Sequence, residues 1–237
     1  MHFPVRTAYT FLLDILFPVE CLGCESPEAF LCEDCLKICA YTPPKLLCPA
    51  CHKPSGIGGT HPKCKTARGI DGIFAATDFR NVLAKKAIKK LKYRNVEDIS
   101  RDLAALLTWR VNDEFHDYIK DNKPVITFVP LHHKRERQRG YNQSELIAGA
   151  FAATLSLPFE PLLVRTKHTK DQTFLNKEQR VENMKSAFSI IEKAQITGKY
   201  IVIIDDVTTT GSTLWECAKV LKRNGAAEVW GMAVAKD

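Results

Sequence analysis

After residue 70, apolar positions alternate between short continuous runs and runs spaced by three or four residues. Continuous runs predict buried strands, whereas the wider spacing predicts helices with one apolar face. The runs at 73–79, 125–129 and 201–204 are therefore expected to be strands. Helical spacing occurs at Leu83, Ala87, Ile88 and Leu91, over 98–111 with Leu103, Leu106 and Leu107, and after residue 140 through Leu146, Ile147 and Phe151. This alternation predicts an α/β fold whose parallel sheet has helices on both faces.

The strand at 201–204 is followed by a sequence typical of an anion site. Two carboxylates, Asp205 and Asp206, come first, and a helical pattern begins at the end of the turn. The turn between them reads Val207, Thr208, Thr209, Thr210, Gly211, Ser212 and Thr213. Backbone amides of such a turn, the helix dipole and the hydroxyls all favour a bound anion. With the two acids expected to face the ligand, the segment suits a ribose phosphate, which carries both phosphate and vicinal hydroxyls.

Two other interpretations of this segment are weaker. A Walker phosphate loop needs a Lys after its second glycine and the G-x-x-x-x-G spacing, and both are missing here. An ordinary strand, turn and helix with Ser212 as N-cap explains the turn. It does not explain two adjacent acids at the end of a buried strand, which are costly unless something uses them.

A second polar segment follows the strand at 125–129. Its cations, Lys134, Arg135, Arg137 and Arg139, are expected in a strand-to-helix loop. Such loops form the ligand crevice of open α/β sheets, and guanidinium groups bind diphosphate in a bidentate way. A solvated charge run is the alternative, but it does not explain the position between strand and helix. The polar stretch at 165–180 has little periodicity and is a candidate lid over the site.

The chain has 237 residues, 45% hydrophobic content and a net charge of +7, which allows one α/β domain with a small appendage. The positive charge concentrates in one segment without an acid: Lys85, Lys86, Lys89, Lys90, Lys92 and Arg94. These cations are expected opposite the apolar face of the helix that follows residue 82. They form either a solvated face or a surface for a nucleic-acid backbone.

Eight of the nine cysteines lie between residues 21 and 64. Seven of them, with one histidine, form four pairs with a two-residue gap: Cys21 and Cys24, Cys32 and Cys35, Cys48 and Cys51, and His61 and Cys64. This gap lets two ligands bind one tetrahedral Zn²⁺ from a tight turn, so four pairs predict two zinc sites. Sequential pairing puts the first four ligands in one site and the last four in the other, and interleaved pairing stays open.

Three further points bear on the cysteines. His61 is the weakest ligand prediction, because a histidine in a Gly-rich loop is often simply solvated. Cys39 is expected to be a buried or spare thiol that can also replace a neighbouring ligand, and Cys217 is expected in the core. No signal-peptide pattern and no apolar stretch of about 18 residues is present. A reducing cytoplasm with metal-bound thiolates is therefore favoured over a secreted disulfide scaffold.

The segment 205–213 resembles the phosphoribosyl-diphosphate (PRPP) signature of type I phosphoribosyltransferases. The chain also has Leu-Phe-Pro before the paired cysteines, Arg-Gly-Tyr-Asn-Gln-Ser at 139–144 and a Thr-Lys…Gln…Leu…Arg…Asn…Phe segment after residue 165. With these motifs nearly the whole chain resembles ComF-type proteins, the competence and GntX-like branch of this fold. His61 stands where that group more commonly has a cysteine.

The resemblance implies a set of roles. Asp205 and Asp206 would contact the ribose hydroxyls, with Mg²⁺ nearby, and the turn at 207–213 would hold the 5′-phosphate. It also implies an N-terminal helix over 1–17, a double zinc-ribbon module over 18–66 and a phosphoribosyltransferase-like domain over 68–237. Members of the group support DNA uptake in natural transformation, so single-stranded DNA and other DNA-uptake proteins are candidate partners. The acceptor of any phosphoribosyl transfer is not specified, and a nucleotide-salvage transferase and a non-enzymatic DNA-binding adapter that senses PRPP are the alternatives.

Overall fold

A computed structural model of the chain describes residues 19–27, 29–93, 97–166 and 187–237. The helix predicted over 1–17, most of the lid predicted over 165–180, and Arg94 lie outside the described residues. Within the described ranges, none of the helices combines the length and the hydrophobicity that a membrane crossing requires.

Four parallel strands form the central sheet. The strands of the described chain are β1 (Gly72–Asp78), β2 (Val125–Phe128), β3 (Leu163–Arg165), β4 (Phe188–Ile190), β5 (Tyr200–Thr208) and β6 (Glu228–Lys236). The order in the main sheet is β1-β6-β5-β2, with all neighbours parallel, while β3 and β4 form a separate antiparallel pair. The three strands predicted from continuous apolar runs are confirmed. Their apolar residues are continuous because strands of a parallel sheet are buried on both faces.

Seven α-helices lie in the same described ranges: α1 (Glu33–Ala40), α2 (Val82–Tyr93), α3 (Ile99–Glu114), α4 (His116–Asn122), α5 (His133–Arg139), α6 (Gln143–Leu155) and α7 (Ser212–Arg223). A short 3-10 helix covers Pro62–Cys64. The predicted helices correspond to α2, α3, α6 and α7. The α/β architecture with helices on both faces is confirmed.

Alternate residues of β5 face two different hydrophobic cores. Val202 and Ile204 contribute to the core that contains α2, α3 and α6. Ile201 and Ile203 contribute to the core that contains α7 and the β3–β4 pair. Because both faces are covered, the whole strand is apolar until Asp205, and polar side chains collect at its carboxyl end.

The cysteine-rich segment packs directly against β1. Leu31 and Cys39 belong to the same hydrophobic core as Phe74 of β1. The hydroxyl of Thr77 donates to the carbonyl of Cys39 at 2.7 Å, and an antiparallel bridge pairs Gly59 with Gly72. The division into 18–66 and 68–237 therefore stays a prediction, since the two segments share one core.

The prediction of a loop over Lys134, Arg135, Arg137 and Arg139 is wrong, because this segment forms α5. His132 precedes the helix, and its Nδ1 accepts a hydrogen bond from the amide of Lys134 at 3.3 Å. Gly140, with φ of 82°, ends the helix in the left-handed region. Residues 134–139 are all straight-chain residues that favour helix, and this propensity determines the local structure.

The next helix begins at Gln143, three residues later than the predicted opening at residue 140. Asn142 is its N-cap, and the Asn142 Oδ1 accepts from the amide of Ser144 at 3.0 Å.

Candidate functional site

The turn between β5 and α7 surrounds a small cavity of about 40 Å³. The cavity is lined by Asp205, Val207, Thr208, Thr209, Gly211, Ser212 and Thr213. It has room for a group larger than one water molecule. The site is therefore a polar recess at the N-terminus of a twelve-residue helix, next to a carboxylate.

Gly211 is required at its position for two independent reasons. Its φ of 75° lies in the left-handed region that residues with a side chain rarely adopt. A Cβ at this position would lie 2.4 Å from Cδ1 of Ile73, which is a direct overlap. Thr210 supports the turn on the other side, because its hydroxyl oxygen accepts from the amide of Ser212 at 3.3 Å.

Asp205 lies beside the recess and is held by two donors. Its Oδ1 accepts from the hydroxyl of Ser144 at 3.0 Å and from the amide of Asp206 at 2.9 Å. Burial and the negative charge of Asp206 raise the pKa of the Asp205 carboxyl to about 7. Asp205 therefore titrates near neutral pH, unlike an ordinary surface aspartate.

Asp206 has a different environment from its neighbour. It is 4% exposed, and its Oδ1 accepts from the amide of Val207 at 2.7 Å. Its Oδ2 lies 2.7 Å from Nζ of Lys92, which comes from the last turn of α2. The expectation that both acids face the ligand is therefore wrong for Asp206, which forms an ion pair inside the fold.

Residues 141–144 connect the acids to the surrounding helices. The hydroxyl of Tyr141 donates to the carbonyl of Leu91, and the side-chain amide of Asn142 donates to the carbonyl of Val129 at 3.1 Å. Ser144, as noted, donates to Asp205. This segment fixes α2 and α6 relative to the acid pair. Only the start of a helix was predicted for it.

Of the four cations in α5, Arg139 acts electrostatically on the lysine that pairs with the acids. Burial lowers the pKa of the Lys92 ammonium, but the charges of Asp206 and Asp205 raise it overall, and the positive charge of Arg139 opposes that rise. Lys134 and Arg137 are exposed, and Arg135 is partly buried. The convergence of these four cations on the site stays a prediction.

The cysteine-rich segment contains two candidate metal centres. One consists of Cys21, Cys24, Cys32 and Cys35, and the other consists of Cys48, Cys51, His61 and Cys64. In each set the ligand atoms lie within 4.8 Å of one another. Ligands around a tetrahedral Zn²⁺ at ~2.3 Å are roughly 3.8 Å apart, so both sets fit that ion. The grouping is the sequential one.

The orientation of His61 suits a metal ligand. Its Nδ1 lies 3.3 Å from the sulfur of Cys51, and its Nε2 lies 3.1 Å from the carbonyl of Pro54. A carbonyl only accepts, so Nε2 must carry the hydrogen, and the lone pair of Nδ1 points toward the thiols. Cys39 is not in either set and is fully buried, as expected for a spare thiol.

Backbone amides prepare one thiol in each set for metal binding. Burial alone would raise the pKa of the Cys21 thiol, but amides of Cys24, Cys32 and Gly23 lower it to about 6. At Cys48, burial likewise raises the pKa of the thiol and backbone amides lower it, most strongly that of His61, so that the pKa is about 6. Thiolate is the form that binds Zn²⁺.

The second candidate metal centre borders the phosphate-type turn. A groove of about 480 Å³ lies between them, and Cys48, Pro49 and His52 form one wall. Thr209, Thr210 and Gly211 contribute to the opposite wall. The sequence did not indicate this proximity, since more than 140 residues separate the two walls.

Comparison with known proteins agrees with this geometry. The Phosphoribosyl transferase domain family profile matches residues 142–236. The chain is 32% identical over 226 residues to the DNA utilization protein YhgH of Escherichia coli K12, covering 90% of this chain and 96% of that protein. The chain belongs to the ComF family. Its residues 142–236 form the phosphoribosyltransferase-type part of this ComF-family chain.

Two further relatives carry competence names. Competence protein F of Haemophilus influenzae is 38% identical over 152 residues, which cover 62% of this chain and 66% of that protein. Competence protein ComFC of Bacillus subtilis is 26% identical, and the match covers 87% of this chain and 90% of that one. Among solved structures, glutamine PRPP amidotransferase of Bacillus subtilis matches with a TM-score of 0.41 and 18% identity, over 62% of this ComF-family chain and 30% of that one.

The lysines of α2 do not form a single solvent-exposed face. Lys85, Lys86 and Lys89 are exposed, but Lys90 is partly buried, and its Nζ lies 4.5 Å from the centre of the Phe30 ring. Lys92 is correctly predicted as part of α2 but wrongly placed on its outer face, because it pairs with Asp206. The candidate nucleic-acid surface in the described chain is thus reduced to three lysines.

Proposed function

We propose that the chain binds PRPP at the recess between β5 and α7. The observation that carries the proposal is the acid pair directly beside a hydroxyl-lined recess at a helix N-terminus. The 5′-phosphate would occupy the recess, where Thr208, Thr209, Thr210, Gly211, Ser212 and Thr213 supply amides and hydroxyls. Asp205 would accept hydrogen bonds from the ribose hydroxyls while Asp206 stays paired with Lys92, and cations of α5 would bind the diphosphate.

The residues at this site also fit Mg²⁺. The Asp205 carboxylate and the Ser144 hydroxyl provide the oxygen ligands that the ion prefers, and Mg²⁺ usually reaches a protein together with substrate phosphates. When bound, the ion would neutralise charge on the diphosphate of PRPP. Asp205 would be the carboxylate that meets it, since Asp206 is already paired with Lys92.

For the cysteine-rich segment we propose two structural Zn²⁺ ions, one in each candidate metal centre. The proposal rests on the short ligand separations and on the absence of disulfides among the described cysteines. Thiolates held by metal suit a reducing compartment, so we place the protein in the cytoplasm.

We further propose that the protein handles incoming single-stranded DNA during natural transformation, with other DNA-uptake proteins as partners. The names of the relatives motivate this role, and the exposed Lys85, Lys86 and Lys89 supply a surface for a phosphate backbone. The protein would then bind both PRPP and single-stranded DNA in this process.

Calorimetric titration with PRPP and Mg²⁺ tests the first part of the proposal. We expect Asp205→Asn to weaken PRPP binding by about ten- to a hundredfold, the usual consequence of losing a charged hydrogen-bond partner. Asp121→Asn on the exposed end of α4 is the matched control and should bind as the wild type does. Unchanged affinity in the Asp205 variant would refute the ribose-phosphate assignment. Including a panel of bases in the titration shows whether PRPP is also consumed.

Salt titration of binding to single-stranded oligonucleotides tests the second part. Each phosphate neutralised contributes about 0.7 to the logarithmic salt slope, so K85E/K86E/K89E should reduce the slope by about two. K120E/K123E/K193E changes the total charge equally at exposed positions elsewhere and should leave the slope unchanged. A wild-type protein without single-strand affinity at low salt would favour the salvage transferase instead.

A further inference from the structure

Lys92 differs from the other lysines of α2 by its place in the helical repeat. Residues 84 and 88 are buried alanine and isoleucine, and residue 92 follows at the same four-residue interval. A lysine on the core side of a helix is costly unless it finds a partner of opposite charge. Its side chain is 22% exposed, and the partner is Asp206 at 2.7 Å.

The end of α2 is held in place for this contact. Leu91, the residue before Lys92, is buried and receives the hydroxyl of Tyr141 on its carbonyl. Tyr141 belongs to the same segment as Ser144, which contacts Asp205. The ammonium and the two carboxylates are therefore positioned by one connected set of hydrogen bonds.

The charges at this site require a cation. Asp205 and Asp206 are neighbours in sequence at the end of a buried strand, and a phosphate ligand would bring at least one more negative charge to them. Lys92 is the cation that the fold itself places on this pair. Because Asp206 keeps one oxygen on Lys92 and the other on the amide of Val207, a divalent ion would have to compete with the ammonium.

We propose that Lys92 is a ligand-positioning residue whose ammonium stays on Asp206 as a fixed counter-ion, so that ribose 5-phosphate binds without a divalent cation. The inference rests on the proposed ribose-phosphate site. It assigns the role of neutralising the acid pair to a side chain of the protein. Mg²⁺ then serves the diphosphate of PRPP, and ribose 5-phosphate lacks that diphosphate.

The test compares ribose 5-phosphate binding with and without Mg²⁺ by calorimetry, in zinc-retaining buffer without chelator. Four proteins are needed: wild type, K92M, K92R and K120M. Lys120 is exposed on α4, so K120M removes one positive charge without touching the acids. Zinc content and far-UV circular dichroism establish that each variant is folded.

We expect the affinity of wild type, K92R and K120M for ribose 5-phosphate to change less than twofold when Mg²⁺ is added. K92M should bind at least tenfold more weakly without Mg²⁺ and recover most of this loss when the ion is present. A wild type that needs Mg²⁺ for binding overturns the inference without any variant, and this result holds even if K92M does not fold. Equal affinities of K92M and wild type, or a loss of affinity in K120M as large as that in K92M, also overturn it. Absence of ribose 5-phosphate binding by the wild type in both buffers overturns the proposed function itself.

Discussion

The raised pKa of Asp205 makes a specific prediction about stability and pH. Its folded-state pKa is about 7, whereas an unperturbed aspartate has a value of 3.8. The folded protein therefore holds this proton more tightly than the unfolded chain does, and stability is lost as pH rises from about 4 to about 7. Asp205→Asn removes the titration. It keeps an oxygen that accepts from Ser144 and the amide of Asp206.

The size of the effect follows from the two pKa values. Between pH 5 and pH 8, the stabilising effect of the Asp205 proton is lost over about two pH units, from pH 5 to the folded-state pKa of about 7. At about 1.4 kcal/mol per unit this is at most about 3 kcal/mol. Interaction with Asp206 and Lys92 reduces this limit, so we expect the Asp205→Asn variant to gain about 1–2 kcal/mol on the wild type over this range.

Urea unfolding of both proteins at several pH values measures the difference, with zinc present and Mg²⁺ absent. Using the difference between variant and wild type cancels the titration of the cysteine thiols, which both proteins share. Asp121→Asn provides the baseline for a carboxylate without these contacts. If the difference in unfolding free energy between Asp205→Asn and wild type is constant from pH 5 to pH 8, the pKa of Asp205 is not raised by its surroundings.

Three further predictions concern the other parts of the structure. Elemental analysis should find two Zn²⁺ per chain in protein purified without chelator, and His61→Ala should remove only one; zero or one ion in the wild type contradicts the two centres. Gly211→Ala should cost about 1–2 kcal/mol of stability and abolish ribose 5-phosphate binding through the overlap with Ile73, whereas Gly198→Ala, with φ of 74° and no neighbour within 4 Å, should retain binding. Asp206→Asn should destabilise the fold by about 3 kcal/mol because it leaves Lys92 without its partner, and K92M/D206N should regain at least half of the loss in urea unfolding.

Several features could be predicted from the sequence because local patterns determine them. The strand at 201–204 and the turn after it follow from a run of apolar residues and from a glycine that must adopt positive φ. The two sets of metal ligands follow from the two-residue gaps, and sequential pairing needs the shortest connections. These signals lie within segments of about 15 residues and do not depend on the rest of the fold.

Other features depend on contacts between distant segments. Ser144 meets Asp205 across 61 positions, and Lys92 meets Asp206 across more than 100. The periodicity of α2 was a usable signal for Lys92, because the four-residue interval from Ile88 places it on the buried side. Its charge alone suggested a position on the exposed side of the helix. For the groove beside His52 there was no signal, since its two walls are more than 140 residues apart in the sequence.

The cysteine-rich segment also covers one edge of the sheet. β1 is at the end of the strand order, and an uncovered edge strand is a template for pairing with another molecule. Here the amide of Ile73 donates to the carbonyl of Gly58 at 2.9 Å, in the loop between the ligands Cys51 and His61. If the proposed Zn²⁺ holds this loop in place, loss of the metal would release the loop and expose the strand. Zinc supply would then set the fraction of the protein that can associate through this edge.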